Sequence, residues 1–269
     1  MLSFTHNRRR TIGTRGTARL GRGVICVALL FGGLLPGCGT KSGEKMLKDM
    51  VRLDRTYIPA LAATQRQDTS ASKKTMRRLV ERWLAFKRKY MDANQKDVQW
   101  RKDFEEIERR VAKANSLIVG KGDLTTAHET LEGIRQIFSQ LRHRNHIDYF
   151  LDYLTAFHEP MEAVVRMVKD KVATQLASED LQSMQERLAT AKEHWSRARA
   201  ADFDASLFGF DAERVEQMQQ LMAREDAALA TLQKALTAGQ PAEIISAAKA
   251  IKPPFAKLFM LFGDFPARD

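Results

Sequence analysis

Two histidines each lie four residues before a glutamate, a spacing that places both side chains on one face of a helix. These pairs are His128 with Glu132 and His158 with Glu162. Imidazole and carboxylate groups both bind metals, so each pair could supply two ligands from one helix. The alternatives are a solvated flank position for His128 and a hydrogen-bonded core position for His158, which borders a wide apolar stripe beside Pro160. We favour these alternatives and keep His158 and Glu162 as a possible ligand-binding pair.

The sequence lacks the motifs of several other metal, catalytic and phosphate-binding sites. No histidine follows a glutamate by three positions, so the Glu-x-x-His motif of di-iron helical bundles is absent from the sequence. A nucleophilic triad, a phosphate-binding glycine loop and a pair of catalytic carboxylates are not recognisable either. The two cysteines, Cys26 and Cys38, both belong to the N-terminal region considered below, which leaves no thiol for a disulfide, for catalysis or for zinc. The sequence therefore predicts no enzymatic activity.

Positive charge is concentrated in the first half of the chain. Residues 44–146 hold 23 basic and 14 acidic residues, a net of +9, whereas residues 147–269 hold 14 and 19, a net of −5. The densest basic run lies on a predicted helix at 73–90, away from its apolar seam. Its candidate contacts with an anionic surface are Arg77, Arg78, Arg82, Arg88 and Lys89. A solvated helix face, an acidic protein partner and docking between the two halves are the alternatives.

The N-terminus has the composition of an export signal. Residues 1–37 contain six arginines and no acidic residue, and an apolar run at 24–35 follows the basic part. Twelve helical residues span roughly 18 Å, which is short of the ~30 Å hydrocarbon core of a bilayer. The run ends in Leu35-Pro36-Gly37-Cys38, which resembles the lipobox of bacterial lipoproteins.

The lipobox resemblance implies that a signal peptidase removes residues 1–37 and that Cys38 carries diacylglycerol. Residues 38–43 then form a lipidated linker, and Gly39 after the cysteine, in place of Asp, implies sorting to the outer membrane if the cell is Gram-negative. An ordinary signal peptide with an incidental cysteine and an uncleaved anchor are the alternatives. The resemblance predicts a membrane-anchored protein facing the periplasm, and a nucleic-acid partner is not expected there.

Apolar residues recur at spacings of three and four through the rest of the chain, the periodicity of helices with one buried face. No stretch shows the sustained alternation of a half-buried strand. The pattern predicts an all-α fold of eight helices, arranged as two tandem up-down-up-down four-helix bundles over 44–146 and 147–269. The apolar seams run from Met46 to Ala60, Met76 to Tyr90, Phe104 to Ile118, Ala127 to Leu141, Ile147 to Val168, Leu181 to Trp195, Val215 to Leu236 and Ile244 to Leu258.

The two halves align with each other at offsets of 101 to 117 residues, which predicts a duplicated unit. Leu53 and Pro59 match Leu154 and Pro160 at an offset of 101. A proline inside a helix lacks an amide hydrogen and clashes with the carbonyl four residues earlier. We therefore expect a bend at Pro59 and another at Pro160.

A glycine-rich turn, Gly120-Lys121-Gly122-Asp123, joins the third and fourth predicted helices. Together with the amphipathic helix that follows and its basic end, this turn resembles the four-helix haem-binding cytochromes of the bacterial periplasm. The resemblance implies haem held between Met46 or Met50 and His143 or His146. The apolar seam of the fourth helix turns both histidines toward solvent, which argues against haem.

These patterns predict a lipid-anchored envelope protein that acts as a binding or scaffolding module. Its expected partners are the membrane, through the lipid anchor, and an envelope protein. The alternative is a periplasmic haem- or metal-binding protein for electron transfer or sensing.

Overall fold

The computed structural model describes residues 41–265, and every regular element in that range is helical, which confirms the all-α prediction. The helices are α1 (Lys41–Gln65), α2 (Thr69–Tyr90), α3 (Trp100–Ser116), α4 (Leu124–Arg144), α5 (Phe150–Val168), α6 (Ser178–Ala200), α7 (Ala205–Phe208), α8 (Ala212–Ala238), α9 (Pro241–Ala250) and α10 (Lys252–Met260). A π-helical turn, Leu117–Lys121, extends α3, and a 3₁₀ turn, Ala173–Gln175, precedes α6. Within the described range, no helix has both the length and the apolar character needed to cross a bilayer.

Polar caps and a glycine fix several helix ends. The Asp68 carboxylate accepts the amide of Ala71 at 2.9 Å at the start of α2, and Asp123 accepts that of Thr126 at 3.0 Å at the start of α4. Such caps satisfy amides that have no partner within the helix. α8 is capped at its C-terminus by Gly239, whose φ of 70° is a left-handed conformation that glycine adopts without strain. These ends coincide with turns that separate the predicted helices.

In the first half of the chain, α1 packs on α2 and α4, and α3 packs on the same two helices. The core here is aromatic. Trp83 and Phe86 of α2 face Phe104 of α3 and Phe138 of α4, with ring centroids 5.6 to 6.1 Å apart. All four rings are buried, so the apolar seams predicted for these helices are the surfaces that meet.

In the second half, α5 and α8 each pack on α6, α9 and α10. The prediction of a single last helix is wrong, because α9 ends at Ala250 and α10 begins at Lys252. Pro253 and Pro254 have no amide hydrogen to continue the hydrogen-bond ladder of α9, so the chain turns and starts again. The sequence pattern also did not predict the short α7, which lies in the connection between α6 and α8.

The buried apolar residues of both halves form one continuous set. Contacts between the halves are made by α1 with α7 and α10, and by α4 with α5. The division into bundles at 44–146 and 147–269, and the duplication behind it, stay predictions.

Pro59 and Pro160 lie inside α1 and α5, while the bends expected there stay predictions. Because Pro59 has no amide hydrogen, the carbonyl of Arg55 lacks its usual helical partner. The backbone amide of Asp264 donates to that carbonyl at 2.9 Å. Gly263 permits this close approach, since a Cβ at that position would lie 3.0 Å from Pro59 Cδ. The C-terminal segment 261–265 therefore completes the hydrogen bonding of the first helix.

Candidate functional site

Four of the five candidate contact residues of α2, namely Arg77, Arg82, Arg88 and Lys89, are exposed. At 3.6 residues per turn, Arg77 and Arg88 project away from the side of α2 that buries Trp83. Leu84 lies between them on the same side and is 50% exposed. We name the exposed surface of α2 that carries Arg77, Leu84 and Arg88, with Arg82 on its opposite flank, the α2 face. It combines three arginines with one apolar side chain, and the exposed acid Glu81 lies on the same side.

Lys89 and Arg78 are engaged within the protein. Lys89 makes an ion pair with Asp49 of α1, whose carboxylate also accepts the Tyr90 hydroxyl at 2.7 Å. Arg78 is half-buried, and its guanidinium lies 3.5 Å from the carbonyl of Asp264. Their charges serve contacts within the fold, so the arginines of the α2 face are the stronger candidates for an external anion.

His128 is half-buried against α1, so the expectation of a solvated flank position is wrong. Its Nδ1 atom lies 3.2 Å from both the Thr64 hydroxyl and the Leu61 carbonyl, and its Nε2 atom lies 3.6 Å from Glu132. Burial lowers the pKa of His128, and the Glu132 carboxylate opposes part of that change. The cause is tertiary, because α1 covers the side of α4 on which His128 lies.

His158 and Glu162 both lie on α5, but each is held by a different partner. The His158 ring contacts the Arg135 guanidinium through Nδ1 and lies 5.5 Å from the Phe255 ring. Burial, reinforced by the nearby Arg135, lowers the pKa of His158 well below its ordinary value, so the ring is neutral at pH 7. Glu162 pairs with Lys252 of α10, with Nζ 2.9 Å from Oε2. This geometry favours core packing over a shared ligand.

Arg135 connects the two histidine–glutamate pairs, a role that the sequence analysis missed. It follows Glu132 by three positions on α4 and is 6% exposed. Its guanidinium contacts both Glu132 and His158 and lies 5.7 Å from the centroid of the Phe259 ring. We name the resulting set the interhelical polar cluster. Its members are His128, Glu132, Arg135, His158, Glu162 and Lys252.

A second buried network lies where α4 meets α5. Arg142 donates to both carboxylate oxygens of Asp152, at 2.7 and 2.6 Å, and its guanidinium lies 4.4 Å from the centroid of the Tyr149 ring. The Tyr149 hydroxyl donates to Asp54 of α1 at 2.6 Å. Burial raises the pKa of Asp54 to about 6, although Arg142 opposes the rise. The network thus ties α1, α4 and the start of α5 together.

Glu225 is a fully buried acid on α8. Within the part of the chain that the structure describes, neither of its carboxylate oxygens has a hydrogen-bond partner at good geometry. Burial raises the pKa of Glu225 to about 8, and the backbone amide of Phe255 opposes only part of this rise. Glu225 is therefore largely protonated at pH 7, which makes it a packing residue rather than a charged site.

The described residues show no cluster of side chains that could hold a metal ion. Between 41 and 265, no group of three or more His, Cys, Asp or Glu side chains is placed to hold a metal ion. His143 and His146, which the cytochrome resemblance implies as haem ligands, are exposed, as the helical phase predicted. His143 lines an open cleft of about 250 Å³ with His194, Tyr149 and Tyr153, between α4, α5 and α6.

Cys38 lies outside the described residues, so its lipidation stays a prediction. The geometry that is described consists of one exposed basic face on α2 and two buried polar networks that join helices. Comparison with models of protein families, with curated proteins and with solved structures finds no match for this chain.

Proposed function

We propose that the protein is a lipid-anchored helical binding module of the bacterial envelope, which holds an anionic membrane surface through the α2 face. The observation that supports this function is the exposure of Arg77 and Arg88 beside the half-exposed Leu84 on one side of α2, with the exposed Arg82 on the opposite flank. Each basic residue near an anionic surface contributes about 1 kcal/mol of attraction, which fades beyond a Debye length. An apolar side chain among such charges suits the boundary between headgroups and acyl chains.

The interior favours binding over catalysis. The buried cations Arg135 and Arg142 are each paired with a carboxylate, as is Lys252, so their charges stabilise helix packing. In this proposal the chain forms two tandem bundles, with the basic 44–146 nearer the membrane and the acidic 147–269 available to an envelope protein partner.

Changing Cys38→Ser is expected to abolish the anchor. Two or more acyl chains hold a protein stably on a membrane, whereas one or none does not. We expect the variant to lose metabolic labelling with palmitate, and we expect no processed form of it in the membrane fraction. Cys26→Ser, which lies inside the expected leader, is the matched control and should label normally. Equal labelling of the Cys38→Ser variant and the unchanged protein would contradict the lipobox interpretation.

Reversing the α2 charges tests the membrane contact. The chain 39–269, which forms one compact unit, is expected to sediment with phosphatidylglycerol-containing vesicles at low salt and to be released as salt increases. The triple change Arg77→Glu, Arg82→Glu and Arg88→Glu should weaken this binding by roughly tenfold or more, since each charge contributes about 1 kcal/mol. The control is Arg187→Glu, Lys234→Glu and Lys249→Glu, an equal charge change at exposed positions of the second half. Equal binding by the two triple variants would count against the α2 face.

A further inference from the structure

We infer that the loop 91–99, between α2 and α3, enters the headgroup layer of an anionic membrane and inserts the exposed side chain of Val98. This inference rests on the proposed function, because it takes the anchor at Cys38 as the point from which the protein meets the membrane. It adds which end of the molecule makes the contact and which side chain inserts.

The loop lies at the end of the first half where α1 begins. Asp49, in the early part of α1, contacts Lys89 and Tyr90 at the end of α2, so these two helix termini are neighbours. α1 begins at Lys41, three residues after Cys38. Three residues reach roughly 10 Å at ~3.5 Å each. A lipid on Cys38 therefore keeps the start of α1, and with it the loop 91–99, close to the bilayer.

The exposed side chains of this end suit an anionic lipid surface. Val98 is 83% exposed, the highest value among the exposed large apolar side chains of the described residues. The exposed lysines Lys96 and Lys102 flank it in the sequence, and the neighbouring acids Asp92 and Asp97 are paired with Arg101 and Arg144. An exposed apolar side chain between exposed lysines suits shallow insertion at a membrane interface.

Hydrogen bonds hold the loop in this shape before it meets a membrane. The Asp97 carboxylate accepts from the Asn145 side chain at 2.8 Å and from the Gln99 amide at 2.9 Å. Asn94 donates to the same Asn145 at 2.5 Å. The Trp100 indole donates to the Tyr90 carbonyl at 2.8 Å just below the loop. Because the backbone is already fixed, insertion of Val98 requires little additional ordering.

In this orientation, the attraction of each α2-face arginine for the membrane decreases with its distance along the helix from the loop 91–99. Arg88 lies close to the inserted end, whereas Arg77 is eleven residues earlier, about 16 Å further along the helix axis. That distance is about two Debye lengths at physiological ionic strength, so the attraction of Arg77 for the membrane is largely screened there. Contact along the whole of α2 would instead make Arg77, Leu84 and Arg88 equally close to the lipid.

Two valine substitutions test the inference in the chain 39–269. Val98→Glu is expected to reduce partitioning onto vesicles of phosphatidylcholine and phosphatidylglycerol by about fivefold or more, because it replaces an inserted apolar group with a charge. Val119→Glu is the matched control, since Val119 is 56% exposed in the turn at the opposite end of α3. It makes the same chemical change and should leave binding unaltered. Leu84→Glu is measured in the same way, because it should weaken vesicle binding if α2 contacts the lipid along its length and not if only the loop inserts.

Single cysteines give a second readout that does not depend on a loss of binding. The chain 39–269 has no cysteine, so Val98→Cys and Val119→Cys can each carry one environment-sensitive fluorophore. A blue shift on adding anionic vesicles is expected at position 98 and not at 119. If Leu84→Glu weakens binding while Val98→Glu does not and the label at 98 stays unshifted, the inference is overturned and the proposed function stands. If the unchanged chain ignores anionic vesicles at low salt, the proposed function itself is overturned.

Discussion

Replacing Arg142 with Met is expected to lower the free energy of unfolding by about 3 to 5 kcal/mol, since removal of one partner leaves a buried charge without compensation. Arg142 is 4% exposed and forms two hydrogen bonds with Asp152. It also offsets the burial of Asp54, whose pKa should rise above its present value of about 6 in the variant. Urea unfolding followed by circular dichroism measures the loss.

The matched control is Arg109→Met on the exposed side of α3. A surface change of this kind should stay within about 0.5 kcal/mol of the unchanged protein. Adding Asp152→Asn to Arg142→Met should recover part of the lost stability, because the stranded carboxylate is then neutral. A loss below about 1 kcal/mol for Arg142→Met alone would refute the buried network as a major source of stability.

Glu225→Gln is expected to make the protein less sensitive to alkaline pH. The pKa of Glu225 is raised from 4.5 to about 8 in the folded chain, so the native state retains a proton that the unfolded state releases. The stabilising effect of this proton is complete below pH 4.5 and is lost as pH rises to about 8. At 1.36 kcal/mol per pKa unit, the loss amounts to about 5 kcal/mol.

The comparison is the difference in unfolding free energy between Glu225→Gln and the unchanged protein, measured from pH 4 to pH 9. The difference removes the contribution of groups that both proteins share, such as Asp54. Glu225→Gln should gain stability relative to the parent through this range, by several kcal/mol at pH 9. Glu243→Gln, at an exposed position of α9, should follow the parent throughout. Parallel curves for Glu225→Gln and the parent would refute the buried neutral acid.

The helices were accessible to sequence analysis because each buries a regular apolar stripe. Trp83, Phe104 and Phe138 each lie on the apolar stripe of their own helix, and each is buried as that stripe predicts. The break between α9 and α10 was not predicted, because the apolar spacing continues across Pro253 and Pro254 and by itself indicates a single helix. Attention to the two consecutive residues without amide hydrogens would have divided the helix.

The polar interior was harder to predict, since its contacts join different helices. His128 and His158 were singled out as candidates, but their connection through Arg135 depends on how α4 crosses α5. A signal was nevertheless present in the sequence. Arg135 follows the buried Leu131 by four residues, and Glu225 follows Met222 by three and precedes Leu229 by four. Charged residues on an apolar seam mark buried, partnered or neutral groups.

The hydrogen bond from the Asp264 amide to the Arg55 carbonyl joins residues that are 209 positions apart. Synthesis delivers Arg55 long before Asp264, so the carbonyl in α1 waits for its backbone donor until residue 264 has been made. The order of synthesis and the order of structural completion are thus reversed for this helix. A chain that ends before Gly263 leaves the Pro59 surface uncovered, and the hydrogen bonding of α1 thereby depends on whether the segment 261–265 is present.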